Sequence, residues 1–449
     1  MKGILMTEGT PWKHILRFGL PLLLGMFLQQ LYNTTDTLIV GNFVGTKALS
    51  AVGTTNNLGF LFLAISIGIS TGSCVLVSHA FGAKNEKEMR LHASTGILFL
   101  MLLSLVVCAF SIAISKPAFI YWLDVPEEIL PLTLLYFRIF AVGIIFQFGY
   151  NIISSILRAL GDSAASLYFL LVASVLNIGL DLFFVINLKM GVAGAAIATD
   201  ISQLLCFIIA YIYMVKKYPV FRFKLSDYHW NNESIKQTLR VGLPVFLQLG
   251  IMSFGLTFIQ RAANGFGTDM TAAFAVLQRV EMYIMIPYIS FQNALATFTG
   301  QNLGAGLLKR VTKGALQTVL MSFLVTATVA LVICLNAEGI ARAFALEGNA
   351  FYYGYHCLRI TILINVILSL YNPLNGLFQG SKKSEFATFV AVFVLMLRIG
   401  VTYTFKDSAI FGKSIIWWNP LFGFSVGFII TWSMFLSRRW LEKDKRKLI

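Results

Sequence analysis

Four oxygen-bearing side chains stand where an oily chain has reason to avoid them. Asp36 ends a polar stripe in the stretch FLQQLYNTTDTLIVG, and Asn177 and Asp181 are spaced i, i+4 in SVLNIGLDLFF. Thr199 follows in GVAGAAIATD. Residues at i and i+4 share one helix face, and the small residues around Thr199 permit close helix approach. Two carboxylates and two neutral oxygens, brought together, make a site for a hard cation or a proton. Close like charges and desolvation both favour the neutral acid, so one carboxyl of such a set can load and release a proton near physiological pH. The same oxygens can instead coordinate Na+, with Asp36, Asn177 and Asp181 as ligands. The alternative is a set of hydrogen bonds that only holds helices together. An Asn or Ser would do that at lower cost than a carboxylate, which costs about 3 kcal/mol near a bilayer centre on insertion scales.

The stripe that carries Asp36 has a direction. At about 100° per residue, Gly25, Gln29, Tyr32, Asn33 and Asp36 fall on one side of a helix, and Leu24, Phe27, Leu31 and Leu38 on the other. The polar side must face protein or a watery cavity, which makes Gln29 and Asn33 candidates for its lining. Asp200 adjoins Thr199 but points about 100° away, and its membership of the site is open at this stage. The second half of the chain has one acid well inside an apolar stretch, Glu281 in LQRVEMYIMIPYISF. It can attract a cationic substrate or pair with Arg261 or Arg279. Met282, Tyr283, Met285, Tyr288 and Phe291 surround it, and soft, adaptable side chains suit a promiscuous apolar cavity. Glu281, Tyr283 and Met285 are the candidates there, with ordinary helix packing as the alternative.

These residues need a scaffold, and the composition names its class. Of 449 residues 57% are apolar and 12% charged, with mean hydropathy +0.77. Soluble domains carry about a quarter charged residues, so the expectation is an all-α integral membrane protein. A span needs about 20 apolar residues. Twelve candidates lie near 14–40, 48–80, 92–116, 131–157, 164–187, 191–215, 236–263, 271–302, 311–336, 352–378, 384–405 and 414–437. The N-terminal stretch MKGILMTEGTPWKH lacks the pattern of a signal peptide. With both termini inside, 24 of the 35 Lys and Arg residues fall on the cytoplasmic side and six outside. That bias is the positive-inside rule, so the net charge of +15 encodes topology and no nucleic-acid partner is needed to explain it. Five scattered cysteines form no close pair, which argues against a disulfide framework or a metal centre. No G-x-x-x-x-G-K-[ST] occurs.

The chain also repeats itself. RFGLP (17–21) matches RVGLP (240–244), NFVGT (42–46) resembles NGFGT (264–268), and SHAFGA (78–83) aligns with GQNLGA (300–305). YFRIF (136–140) matches CLRIT (357–361), and Tyr150-Asn151 matches Tyr371-Asn372, all at offsets of 221 to 223 residues. Pro21, Pro244, Pro287 and Pro373 fall within spans and can serve as bending points. Six spans per repeat is an even number, so the repeats share orientation. The expected fold is twelve transmembrane helices in two six-helix bundles related by a pseudo-two-fold along the membrane normal. The bundles are residues 1–216 and 235–449, joined by the basic, aromatic connection 217–234.

Together, QQLYNTTDTLIVGNFVGTKALSAVG, SHAFGAKN with GQNLGAG, LRALGDS, and NIGLD with GVAGAAIAT resemble the MATE family of multidrug and toxin extrusion transporters, in its bacterial DinF-like or MepA-like branch. The resemblance covers nearly the whole chain. It implies an antiporter rather than an enzyme, one that expels lipophilic, often cationic compounds in exchange for H+ or Na+ by alternating access. No cofactor beyond the driving ion is implied. The expected setting is the lipid of a bacterial plasma membrane, with both termini cytoplasmic and a monomer as the working unit. Asp36, Asn177, Asp181 and Thr199 match the cation site of the N-terminal bundle in related transporters, and Tyr136 matches a tyrosine near it. At Asp200 the chain departs from the family pattern, which is small or apolar there. The runner-up is a lipid-linked oligosaccharide flippase of the same superfamily, which would need a more basic cavity. An intramembrane enzyme built on Asp36 and Asp181 would lack the Gly-Asp motif of aspartyl proteases.

Overall fold

The computed structural model describes residues 3–441, except for the side chains of Asn33, Thr37, Leu38, Asn56, Asn57 and Leu225. Lys2 and the basic residues Lys443, Lys445, Arg446 and Lys447, counted above, lie outside the described residues. Among those described, all regular structure is helical. In chain order the helices are α1 (Pro11–Phe43), α2 (Thr46–Gly82), α3 (Glu86–Pro117), α4 (Leu130–Ala159), α5 (Ser163–Asp181) and α6 (Gly191–Lys217). Then follow α7 (Asn232–Asn264), α8 (Thr268–Gly304), α9 (Leu308–Leu335), the short α10 (Ala337–Ala343), α11 (Gly348–Gly380), α12 (Ser384–Phe405) and α13 (Ile415–Leu436). Twelve helices are long and apolar enough to cross a membrane, each overlapping an expected span. Several run a turn or more past it, because polar first turns such as Glu86-Lys87-Glu88 of α3 continue the helix beyond its oily part. Asn85 caps that helix by accepting the Glu88 N–H at 3.1 Å.

Two backbone features had no sequence signal. α3 continues past Pro117 as a π-helical turn, Ala118–Trp122, and α5 continues past Asp181 as another, Leu182–Asn187. Such widened turns are rare and often mark functional positions.

The chain divides into two compact units, Met1–Leu5 with Leu20–Phe246, and Met6–Gly19 with Leu247–Ile449. Unit 1 buries Phe137, Phe148 and Ile152 of α4 among α2, α3 and α6. Unit 2 centres on α8 and α11, with Cys357, Leu358 and Ile362 fully buried. Leu20, Leu24, Phe27 and Leu31 of α1 are exposed, as the apolar side of the stripe requires.

The sequence repeat reappears as a repeat of backbone strain. Left-handed residues recur in pairs one repeat apart: Gly45 with Gly267, Lys84 with Gly306, Asp124 with Ala345, Gly161 with Lys382, and Gly191 with Gly412. Left-handed backbone is disfavoured for residues with a Cβ. A lysine at Lys84 where the other repeat uses Gly306 therefore shows that the turn itself is imposed by the helices on either side.

Each unit also holds an arm. In unit 1 the connection before α7 is strapped down: Arg90 donates to the Val220 and Arg222 carbonyls and to Asp227 Oδ2, and Phe221 is fully buried. Asp162 Oδ2 accepts from Tyr213, Lys217 and Tyr218 at 3.0, 2.8 and 2.8 Å. In unit 2 the residues before α1 are held in a similar way. Arg310 donates to the carbonyls of Met6, Glu8 and Gly9, while the Met6 N–H donates to Gln301 Oε1 at 2.8 Å.

Candidate functional site

In unit 1, α1, α4, α5 and α6 bring the oxygen-bearing residues together. Asn177 and Asp181 are 1% and 0% exposed on one face of α5. With its amide NH2 turned to the carboxylate, Asn177 donates to Asp181 Oδ2 at 2.8 Å, and its carbonyl accepts the Thr199 backbone N–H at 3.2 Å. Thr199 Oγ1 donates back to the Ala195 carbonyl at 3.1 Å and is a hydrogen-bond partner of Tyr32. The amide thus fixes α5 against α6 and orients the acid.

Asp36 of α1 and Asp181 of α5 are near neighbours, placed so that one carboxyl, if protonated, can donate to the other. Two carboxylates repel at that range unless a proton or a cation lies between them. Asp36 Oδ1 and Asp181 Oδ1 are both buried with no hydrogen-bond partner, although buried oxygens are nearly always satisfied. Neighbouring acids that each keep an unpartnered oxygen suit a small, hard cationic guest. Among the described residues no three His, Cys, Asp or Glu side chains gather as a metal-holding group. Any coordination beyond the two acids therefore falls to neutral oxygens, for which Asn177 and Thr199 are at hand. The widened turn that begins at Leu182 follows Asp181 without a gap and detaches the local carbonyls from the regular ladder.

Tyr136 of α4 is buried within electrostatic reach of Asp36, Tyr32 and Asp181. Tyr32 is the residue that site reasoning from sequence passed over. Its place on the polar stripe was visible, but its link to Thr199 joins α1 to α6, far apart in the chain. Asp200 is buried too, and points elsewhere. Its carboxylate accepts the Gly143 backbone N–H of α4, so close that a Cβ on Gly143 would stand 1.9 Å from Asp200 Oδ1. Gln29 is exposed on α1, and the side chain of Asn33 lies outside the described residues.

In unit 2, Glu281 of α8 is half-buried and accepts from Asn365 Nδ2 of α11 at 2.9 Å. Its charged neighbour is Arg398 of α12. Arg261 and Arg279 are exposed instead. Tyr283 is half-buried and Met285 exposed, while Tyr288 and Phe291 are buried.

The MatE family model matches residues 21–183 and 244–404. The chain is 29% identical over 382 residues to the probable multidrug resistance protein YpnP of Bacillus subtilis, covering 85% of each. It is 22% identical to the multidrug export protein MepA of Staphylococcus aureus, covering 91% of this chain and 90% of that one. Among solved structures, a MATE crystallised in complex with MaL6 superposes with a TM-score of 0.92 at 25% identity, over 98% of both chains.

Proposed function

The chain belongs to the MatE family, and from that premise we propose that it is a secondary active multidrug exporter that exchanges lipophilic or cationic compounds for H+ or Na+. The driving ion loads between Asp36 and Asp181, with Asn177 and Thr199 completing the site and Tyr32 and Tyr136 walling it. The observation that carries this reading is the pair of neighbouring carboxyls with one unpartnered oxygen on each acid. With an ion shared between them, the acids bind α1 to α5. Without it, two charges about 4 Å apart repel by about 4 kcal/mol at an effective dielectric near 20. An energy of that size moves a two-state equilibrium about a thousandfold, and the ion acts only through such a difference between states.

The protein sits in the bacterial plasma membrane with both termini in the cytoplasm, where the basic bias would set them. Residues 1–216 and 235–449 form the two bundles, with 217–234 between them. Glu281, Tyr283 and Met285, with Gln29 and Asn33, contribute to substrate binding. The test is efflux of a cationic dye from proteoliposomes under separate pH and Na+ gradients. One gradient should drive export, and Asp36→Asn should cut that export at least about tenfold, the effect of losing about 1.4 kcal/mol of coupling. Undiminished gradient-driven export by Asp36→Asn refutes the assignment.

A further inference from the structure

Unit 2 holds a buried arginine and a half-buried acid that the ion reading of unit 1 does not use. Arg398, 8% exposed, donates its Nε–H to Asn419 Oδ1 at 2.9 Å and stacks 4.9 Å from the centroid of the Phe424 ring. Glu281 lies within its electrostatic reach, held by Asn365. Tyr288 lies within electrostatic reach of both charges, Tyr371 within reach of Arg398, and Cys357 within reach of Glu281. The backbone makes room for the guanidinium. A Cβ on Gly423 of α13 would stand 2.5 Å from Arg398 Cγ, so this position admits a long side chain only because a glycine faces it.

The position of Arg398 in the repeat gives the pair its meaning. α5 opens at Ser163 and α12 at Ser384. Counted from those starts, Asn177 and Arg398 hold the same place, and Asp181 and Thr402 the next place on the same face. We propose that Arg398 is a resident cation, a tethered charge at the place where unit 1 receives a mobile one, and that by neutralising Glu281 it keeps unit 2 from taking up an ion.

A guanidinium stays protonated at any physiological pH, and its field offsets the desolvation of a carboxylate within electrostatic reach. Unit 2 therefore keeps its charge balance through the whole cycle, and only unit 1 responds to the ion gradient. The proposal takes from the function proposed above only the comparison with Asp36 and Asp181. It also follows that removing Arg398 should uncover an ion site: Glu281 would be left with Asn365, Tyr288 and Cys357 as its neutral neighbours, short of one positive charge.

The experiment uses the full-length protein in detergent, in an Asp36→Asn background that removes the unit 1 site. The readout is the unfolding midpoint from about pH 5 to 8, with Na+ or with choline as the cation. Asp36→Asn alone should give a flat response. Adding Arg398→Gln should introduce a midpoint shift of about 2–4 °C with protons or Na+, and a further Glu281→Gln should abolish it. Arg398→Lys keeps the charge and should stay flat. A flat response in Asp36→Asn/Arg398→Gln overturns the proposal, as does a response that survives Glu281→Gln. If Arg398→Gln does not fold, the doubly neutral Glu281→Gln/Arg398→Gln should fold, since it strands no charge. Failure of that variant as well assigns Arg398 to packing against Asn419 and Phe424 and overturns the proposal. An ion response in wild-type protein that Asp36→Asn leaves intact counts against the unit 1 reading alone if it survives Glu281→Gln, and overturns the proposal if Glu281→Gln abolishes it.

Discussion

The two units of this chain share a backbone and differ in their charges. Left-handed turns recur at matched positions down to Asp124 and Ala345, neither of which is a glycine. At the chemical positions the match ends. Asn177 and Asp181 on α5 answer to Arg398 and Thr402 on α12, and the place of Asp36 on α1 is taken near Ile259, which is fully buried on α7. The packing between helices has diverged with them. Where unit 1 has Gly143 and Asp200 in contact, the equivalent positions carry Ile364 and Leu421. A duplicated scaffold has thus kept an acid pair in one copy and an acid with a fixed cation in the other. The matched backbone accommodates both arrangements, so it requires neither.

The sharpest way to break this contrast is at the paired positions of α5 and α12. Asp181→Asn removes one of the two carboxyls and should lower gradient-driven export by at least about tenfold, or about 1.4 kcal/mol of coupling. Thr402→Val, its counterpart, removes only a bond to the Arg398 carbonyl on its own helix and should leave export within about twofold. Proteoliposome flux measured side by side decides it, and equal losses would erase the asymmetry.

A second comparison concerns packing. Gly143→Ala forces a methyl group against Asp200 and should cost about 1–3 kcal/mol of stability. Asp200→Ala in the same chain should restore most of it, because the two sites touch. A double-mutant cycle read by thermal unfolding would show additive losses if Asp200 were free to swing away.

The smallest effect is expected at the strap of unit 1. Asp227 accepts the Lys224 N–H at 2.8 Å and pairs with Arg90, and these contacts hold its carboxyl below the usual carboxylate range. A depressed acid contributes above its unfolded value of 3.8 and is lost only as pH falls through its lower folded value. Proteolytic nicking at Lys224 should therefore stay unchanged down to about pH 4 and rise only below it. Release near neutral pH would mean that the strap depends on another group.

Much of this was legible in the residues themselves. Span length and the i, i+4 spacing of Asn177 and Asp181 are local signals, and each found its helix. The Lys84 turn was legible only through its partner in the other repeat. The Glu281–Arg398 relation was not legible, because the nearer arginines, Arg261 and Arg279, carry the same charge and nothing local says that they point outward. The widened turn after Asp181 has no Pro or Gly within it to announce it. Asp200 was ambiguous for a geometric reason: one residue along a helix is a rotation of about 100°, enough to aim it at α4 while Thr199 faces α5.

The arm ahead of α1 has a consequence for synthesis. Met6 finds its partner Gln301 295 residues later in the chain. At about 5–20 residues per second, the segment around Met6 waits roughly 15 to 60 s before its binding groups exist. The arm ahead of α7 has no such wait, since Arg90 precedes Val220. Unit 1 can close as it is made, while unit 2 needs the oldest residues of the chain to be still within reach. A tag or an insertase that detains the N-terminus would penalise unit 2 and spare the half that carries the acids.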